Sequence, residues 1–201
     1  MVTVSDDQEA GERVTEVATR LFAELGYDGT PMQLIADTLG MPIAEVTRLT
    51  GGKQQLYLAV MRRAAEAEDR MLTSATDGYG ATIESAYEVV DAVLDFYVAH
   101  PEYRALWMHR WLSDATDVED LESQYVLTQS VDVIDRVREN IPDEVDPVLL
   151  VGTVIWTVFG FLSGGRPTPE QPTRHEPTPD EIDHFRRYLH AFVRRMLAPS
   201  G

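Results

Sequence analysis

The sequence predicts an all-α protein in which an amino-terminal helix-turn-helix domain of three helices is followed by a larger helical bundle. Apolar residues recur at intervals of three and four along most of the 201 residues, and no segment alternates apolar and polar residues as a strand does. The hydrophobic fraction of 44% is sufficient for a buried core. Cysteine is absent, which excludes disulfide bonds, thiolate metal sites and a cysteine nucleophile.

The first two helices are predicted on either side of a turn that contains glycine. Residues 14–25 carry the apolar stripe of the first helix, and a glycine follows them directly. Thr30 suits the cap of the second helix, Pro31 suits its first position, and Gln33 stands where the partner in a capping box reaches back. The second helix then continues to about Leu39.

A short third helix and a long fourth helix complete the amino-terminal pattern. The third helix is predicted over residues 43–50, and two glycines end it. Two short helices joined by a tight turn form a helix-turn-helix. We therefore expect a helix-turn-helix domain at 10–52 and a second domain at 53–201, in which residues 53–75 form the linking helix.

The second domain begins with a helix that is apolar over much of its circumference. This helix extends from Ile83 to Val98 and must be surrounded by other helices. A joint precedes Pro101, because the residue before a proline avoids the helical conformation, and a short aromatic helix follows. A longer helix is predicted from about Glu119 to Asn140.

Two further helices close the chain. An uncharged helix begins near Val148 and approaches the ~18 residues that are needed to cross a membrane. It contains glycines and threonines and lacks aromatic and basic anchors, which favours burial inside the fold or at a subunit interface. Residues 166–179 contain five prolines and no periodicity, so a loop or linker is expected there. The apolar stripe of the last helix ends at Met196.

Charge is distributed unevenly along a chain whose net charge is −17. Residues 1–12 contain four acidic residues and no base, and residues 112–147 carry a net charge of −9. Residues 13–63 carry +1. The acidic total argues against non-specific binding of polyanions, so any contact with nucleic acid must be local.

Short motifs between residues 15 and 64 occur in a particular order and spacing. Along the chain they are Leu21-Phe22-Ala23-Glu24-Leu25-Gly26-Tyr27, Gly29-Thr30-Pro31-Met32, Ile35-Ala36, Gly40, Gly51-Gly52-Lys53 and Leu56-Tyr57-Leu58-Ala59-Val60. In residue type and spacing they resemble the tetracycline-repressor (TetR) family of bacterial transcription regulators. The resemblance covers about a quarter of the chain, and beyond it only the helical pattern and the length agree with that family.

The resemblance implies both a fold and a function. Three amino-terminal helices would bind DNA, the fourth would link them to a ligand-binding bundle, and the last two would pair with a second subunit. A homodimer would place two recognition helices in successive major grooves of a palindromic operator, with half-sites about 34–36 Å apart or a multiple of that distance. The resemblance thus implies a ligand-responsive regulator, expected to be a repressor, that a small apolar or aromatic effector releases.

The residues that the resemblance assigns to DNA contact lie in helices two and three and at the start of helix four. Lys53, the only lysine, would hold a backbone phosphate, and Arg48 can pair with guanine O6 and N7. Thr30 and Gln33 would touch phosphate near a helix amino terminus. The complete set is Thr30, Gln33, Ile43, Glu45, Thr47, Arg48 and Lys53.

The third helix departs from the family pattern. Pro42 stands where a small polar cap is usual, and Thr47 and Thr50 stand where aromatic residues are usual. Glu45 replaces a neutral residue and would be repelled by phosphate unless it accepts a hydrogen bond from cytosine N4. The alternative is therefore a helical dimer that has lost operator binding and serves as a ligand- or protein-binding module.

Aromatic and apolar side chains supply the candidates for an effector pocket and a dimer interface. The pocket candidates are Phe96, Trp107, Met108, Trp111, Tyr125 and Trp156, although a tryptophan at helical spacing is more often a core residue. The interface candidates are Trp156, Phe159, Gly160, Phe185, Leu189, Phe192 and Met196. Burying such apolar surface, at roughly 25 cal/mol per Å², stabilises a four-helix interface between two subunits.

Neither an enzyme nor a bound cofactor is expected. The five histidines include no pair at metal-ligand spacing, and the chain has no phosphate loop and no nucleophile elbow. Residues 1–7 lack the basic and apolar segments of a secretory signal, so we expect a cytoplasmic protein that does not enter a membrane.

Overall fold

The computed structural model describes residues 4–80, 82–118, 134–138, 141–165 and 175–198. Within these ranges the chain contains helices and no strand, so the predicted all-α fold is confirmed. The main helices are α1 (Val4–Leu25), α2 (Met32–Leu39), α3 (Ile43–Thr50), α4 (Lys53–Thr76), α5 (Ile83–Ala99), α6 (Pro101–Trp111), α7 (Pro147–Gly164) and α8 (Pro179–Met196).

The chain divides into two compact units. The first contains residues 1–66 and 101–125, and the second contains residues 67–100 and 126–201. The division falls inside α4 and assigns α6 to the first unit. The functional domain limits that the sequence suggests, 10–52 and 53–201, stay a prediction.

The core of the first unit forms where the helix-turn-helix packs on α1 and α4. The rings of Tyr57 on α4 and Phe22 on α1 pack edge to face with their centres 5.3 Å apart, and the centre of the Tyr27 ring lies 4.8 Å from that of Tyr57. Other fully buried members of this core are Val14, Ala18, Ile35, Ala36, Val46, Val60 and Met61. These residues hold α2 and α3 in a fixed arrangement without using the outer surface of α3.

Two glycines in left-handed backbone conformations end α2 and α3. Gly40 has φ +65°, and the amides of Gly40 and Met41 donate to the carbonyls of Asp37 (3.1 Å) and Ala36 (3.0 Å). Gly51 ends α3 with φ +77°. A side chain with a Cβ is strained in this conformation, so the glycines fix the two turns as the sequence predicts.

The start of α1 differs from the prediction. The helix begins at Val4, ten residues before the apolar stripe that marked its predicted start. Asp6 and Asp7 lie in its first turn, where negative charge interacts favourably with the helix dipole. The extension places the acidic amino-terminal residues on a helix.

The predicted cap of α2 is wrong. Pro31, not Thr30, is the N-cap residue, and no side chain caps the helix. Thr30 is fully buried, and its hydroxyl donates to the carbonyls of Gly26 (2.7 Å) and Leu21 (3.2 Å) at the end of α1. Because the hydroxyl is directed back into α1, Gln33 has no capping partner and donates instead to Asp37 at 2.7 Å.

The second unit is built on α5, α7 and α8. Tyr97 on α5 meets Phe159 on α7 edge to face at 4.6 Å. Arg186 on α8 bridges Asp91 (3.0 Å) and Asp95 (2.5 Å) on α5, and the hydrogen bond to Asp95 raises the pKa of this arginine. Most of the predicted helix at 119–140 and of the loop at 166–179 lies outside the described residues.

The uncharged helix α7 is the one described helix that is long and apolar enough to cross a membrane by length and composition. Only 28% of its 18 residues are buried within the chain. Val148, Leu149 and Trp156 are more than half exposed. The sequence predicts that this helix is buried inside the fold or at an interface, and the chain by itself covers only one of its sides.

Candidate nucleic-acid interface

The outer surface of α3 carries most of the side chains that the sequence assigns to base contact. Val46 is fully buried against the core, whereas Ile43, Glu45, Thr47 and Arg48 are exposed on the other side of the helix. Eight residues give just over two turns, so these four side chains share one continuous face. A helix of this length that presents one polar face fits the width of a DNA major groove.

Arg48, the one base on this face, is held by a carboxylate from α1. Its two terminal nitrogens donate to the two oxygens of Asp7, at 3.1 Å and 2.9 Å. Both side chains remain about half exposed. The hydrogen bond lowers the pKa of Asp7 and raises that of Arg48. This pair is not evident from the sequence, in which the run of acidic residues at the amino terminus is its only visible sign.

Lys53 at the start of α4 is positioned by an aromatic ring. Its ammonium nitrogen lies 4.2 Å from the centre of the Tyr27 ring, a cation–π contact that orients the side chain. Burial of Tyr27, together with the nearby carboxylates of Asp117, Asp28 and Asp114, raises the pKa of its hydroxyl. The partially exposed lysine therefore stands beside the turn that precedes α2.

Hydrogen bonds with backbone groups stabilise both ends of α3, where its sequence departs from the expected pattern. Pro42 is the N-cap, and its carbonyl accepts hydrogen bonds from the amides of Glu45 (2.9 Å) and Val46 (3.2 Å). Thr50 donates to the Val46 carbonyl at 2.8 Å and accepts from the Gly52 amide at 3.3 Å. A hydroxyl thus ties the end of α3 to the glycine turn at the position where an aromatic anchor was expected.

A family comparison agrees with this arrangement. Residues 14–60, which extend from α1 into α4, match the model described as "Bacterial regulatory proteins, tetR family". The amino-terminal region is a tetR-family domain. No curated protein matches the sequence.

Comparison with solved structures covers most of the chain. The complex of AibR with isovaleryl coenzyme A and operator DNA has a TM-score of 0.68 at 18% identity, over 90% of this chain and 97% of that one. PfmR of Thermus thermophilus has a TM-score of 0.65 at 18% identity, over 93% and 100%. The ketosteroid regulator KstR2 of Mycobacterium tuberculosis has 0.63 at 16%, over 91% and 94%. At these identities the likeness establishes the fold.

Two of the predicted DNA contacts of this tetR-family domain lie near α2 in different environments. Gln33 is exposed, whereas the Thr30 side chain has no access to solvent. In this conformation the Thr30 hydroxyl is therefore unable to reach a phosphate, and its part in the interface is to hold the turn. The assignment of Thr30 to direct phosphate contact is corrected accordingly.

Helix α6 and the residues after it are tied to the turn between α1 and α2. The carboxylate of Asp114 accepts from the amides of Tyr27 (2.6 Å) and Asp28 (3.0 Å), and His109 Nε2 lies 3.1 Å from the Ala23 carbonyl. This histidine therefore contacts α1. A Cβ on Gly26 would lie 3.1 Å from Asp114, so the close approach requires glycine.

The candidate pocket residues lie in different surroundings. Phe96 packs between Tyr97 (5.2 Å) and His100 (4.8 Å) in the second unit. Trp107 is buried in the first unit, and Met108 beside it is half-buried. Trp111 is 40% exposed and Trp156 is 55% exposed. Tyr125 lies outside the described residues. The part of the chain described contains no group of three or more potential metal ligands.

The candidate interface residues separate into a buried set and an exposed set. Phe159, Phe185 and Leu189 are at most 7% exposed and fill the core of the second unit, so these three are corrected to core residues. Phe192 and Met196 are half-buried. The exposed apolar surface on α7 includes Val148, Leu149, Trp156 and the open side of Gly160, and Tyr188 adds to it from α8. An open groove of about 600 Å³ lies between α7 and α8 and includes Gly160 and Tyr188 in its wall.

Proposed function

We propose that this protein is a DNA-binding transcriptional repressor that acts as a homodimer and is released by a small apolar or aromatic effector. The observation that carries the proposal is the exposed outer face of α3 in a tetR-family domain, with Val46 buried behind it. The operator complex of AibR, whose fold this chain shares, supports DNA as the partner. We further propose a cytoplasmic location, no enzymatic activity and no membrane insertion.

In this proposal one basic side chain contacts phosphate and another contacts a base. Lys53, held over Tyr27, neutralises a phosphate and contributes equally to every sequence. Arg48 contacts a guanine through O6 and N7 and confers sequence preference. Ile43 and Thr47 supply apolar and hydroxyl contacts on the same face. Glu45 accepts a hydrogen bond from a cytosine amino group.

The effector acts through the second domain, which includes residues 53–201 beyond the helix-turn-helix. Because α5 leads directly into α6 at Pro101, the chain itself connects the bundle to α6 and to Asp114, which contacts the α1–α2 turn. An effector can shift the protein only if it binds the released conformation more tightly than the DNA-bound one. Aromatic residues in the bundle, such as Phe96, favour an apolar ligand over an anionic one.

The homodimer forms through the exposed side of α7 together with α8. A monomer would leave Leu149 and Trp156 in water, and a two-fold axis brings the same apolar surface of a second subunit against them. Gly160 has no neighbour within 4 Å of the position of a Cβ, which leaves room for the close approach of a partner helix. The exposed Tyr188 supplies an aromatic contact at the edge.

Selection of bound sequences from random duplex DNA, at low and at moderate salt, tests the proposal. We expect enrichment of a palindrome whose affinity falls as the salt concentration rises. Lys53→Ala should weaken binding to all sequences alike, whereas Arg48→Ala should change the preferred base at one position in each half-site. Failure to enrich any sequence at low salt would refute operator binding.

The second candidate is a helical dimer that binds ligands or proteins without DNA. It is favoured by Glu45 on the exposed face of α3 and by the contact of Arg48 with Asp7, since both reduce the positive charge that the face offers to phosphate. Retention of the dimer and of small-molecule binding by a protein that enriches no DNA would establish this alternative.

A further inference from the structure

The contact between Asp7 and Arg48 occupies the atoms that the proposed function needs for base recognition. Guanine presents two acceptors, O6 and N7, to the fork formed by two arginine N–H groups. In the structure both terminal nitrogens of Arg48 donate to the two oxygens of Asp7. A carboxylate and the guanine edge are therefore alternative partners for the same guanidinium face.

The position of Asp7 follows from the extension of α1. Val4–Leu25 is one helix, and its first turn contains Asp6 and Asp7. The core contacts of Val14 and Ala18 fix the direction of this helix, so its amino-terminal turns reach the end of α3. Residues 6–12 contain four acids and no base, and their charge has the sign of a phosphate.

The pair is held weakly enough to exchange. The side chains of Arg48 and Asp7 are 55% and 43% exposed, and ion pairs at such positions are screened by water and salt. An exposed pair of this kind changes an equilibrium by up to about fivefold. A guanine with two well-placed acceptors can displace the carboxylate, because it replaces both hydrogen bonds of Arg48. Phosphates that only attract the positive charge of Arg48 stabilise the released arginine less.

We infer that the first turns of α1 are an intramolecular competitor for Arg48, which DNA displaces only where it presents a guanine at the matching position. The inference rests on the proposed function and adds a regulation of the same site. The competitor lowers the affinity for a duplex that engages Arg48, whereas DNA without the matching guanine leaves the pair in place. Its effect is therefore to reduce operator affinity by the free energy of the pair, which binding recovers only where both guanine acceptors are in reach.

Two charge-matched variants of the full chain separate competition from general electrostatics. Asp7→Asn removes one negative charge and the bidentate acceptor. Glu9→Gln removes one negative charge from an exposed position on the same helix. Binding of each protein to the enriched duplex, and to a duplex of scrambled sequence, is measured by fluorescence anisotropy at two salt concentrations.

We expect Asp7→Asn to bind the enriched duplex about 5- to 20-fold more tightly, because the arginines of both subunits no longer have to break a pair. Glu9→Gln should change binding by less than about 2-fold. Binding of the scrambled duplex should strengthen less in Asp7→Asn, because such DNA leaves the pair intact in the wild type. The gain should shrink as salt screens the pair. In an Arg48→Ala background, Asp7→Asn should have no effect beyond that of Glu9→Gln.

Equal effects of Asp7→Asn and Glu9→Gln would overturn the competitor and leave the proposed function intact, because the acids would then act through net charge alone. Weaker binding by Asp7→Asn would also overturn it, since Asp7 would then position Arg48 for DNA. Enrichment of a sequence by Asp7→Asn but not by the wild type would support it. If neither protein enriches any sequence, the proposed function fails and the competitor falls with it.

Discussion

Thr30 serves the amino-terminal domain through hydrogen bonds inside the protein. Its hydroxyl joins the turn before α2 to two carbonyls near the end of α1, at 2.7 Å and 3.2 Å, and no part of the residue is exposed. Thr178-Pro179-Asp180-Glu181 repeats the pattern of Thr30-Pro31-Met32-Gln33, and there the capping box does form. The pattern alone does not distinguish these two sites, because burial decides which acceptors and donors a threonine can reach.

At Thr30 we predict that Thr30→Val lowers the free energy of unfolding by about 1–3 kcal/mol, since it leaves buried carbonyls without their donor while keeping the side-chain shape. Thr30→Ser retains the hydroxyl and should lose less. Urea unfolding followed by circular dichroism measures both values. A Thr30→Val protein as stable as the wild type would show that the hydroxyl has no structural role.

At the scale of single elements, helix ends and the contacts of α6 account for much of what the sequence did not indicate. Thr178 caps α8 by accepting from the Glu181 amide, while the Glu181 carboxylate accepts from the Thr178 amide at 2.9 Å. This hydrogen bond and the contact with His175 lower the pKa of Glu181. Asp114 caps a turn that is distant in sequence, so only the fold brings the carboxylate to its two donors.

For α8 we predict that Thr178→Ala reduces stability by about 1 kcal/mol, because the first turn of the helix loses its capping acceptor. The matched control is Thr73→Ala, an exposed threonine inside α4, which should be neutral or slightly stabilising because alanine favours helix interiors. Thermal unfolding of the two variants compares them directly. Equal melting temperatures for the two would argue against the cap.

For the connection of α6 to α1 we predict that Asp114→Asn destabilises the protein by about 1–3 kcal/mol, since an amide offers one acceptor oxygen where the turn presents two N–H donors. Asp117→Asn, at an exposed position nearby, should change stability by less than about 0.5 kcal/mol. Hydrogen exchange of the Tyr27 and Asp28 amides should accelerate in Asp114→Asn alone. Unchanged protection of these amides would contradict the assignment.

At the scale of the whole molecule, α7 has two apolar faces, and they bear on the proposed homodimer. One face contains Phe159 and is buried within the chain, and the other contains Trp156 and is exposed. Sequence periodicity did not separate these faces because α7 is apolar on nearly every side. The exposed face is the one that a second subunit would cover in the proposed homodimer.

For the assembly we predict that Trp156→Glu converts a dimer, of twice the 22.6 kDa chain mass, to a monomer at micromolar concentration. A charge placed in the centre of an apolar interface would be buried without a partner, which costs several kcal/mol. Leu112→Glu, at a residue that is 75% exposed in the first unit, is the control and should remain dimeric. Sedimentation equilibrium distinguishes the two masses, and a dimeric Trp156→Glu would place the interface elsewhere.

The sequence by itself determined the helical class, the helix-turn-helix with its glycine ends and the exposed candidates on α3, because periodicity and glycine conformation are local properties. It did not reveal the contact of Asp7 with Arg48, the burial of Thr30 or the role of Asp114. These depend on residues 41, 9 and 86–87 positions apart, which meet only when the turn before α2 folds back on α1 and when α1 packs against α3 and α6. The tertiary structure decides whether these contacts form, because each depends on burial and on a partner from another part of the chain. Neighbouring residues in the sequence specify neither.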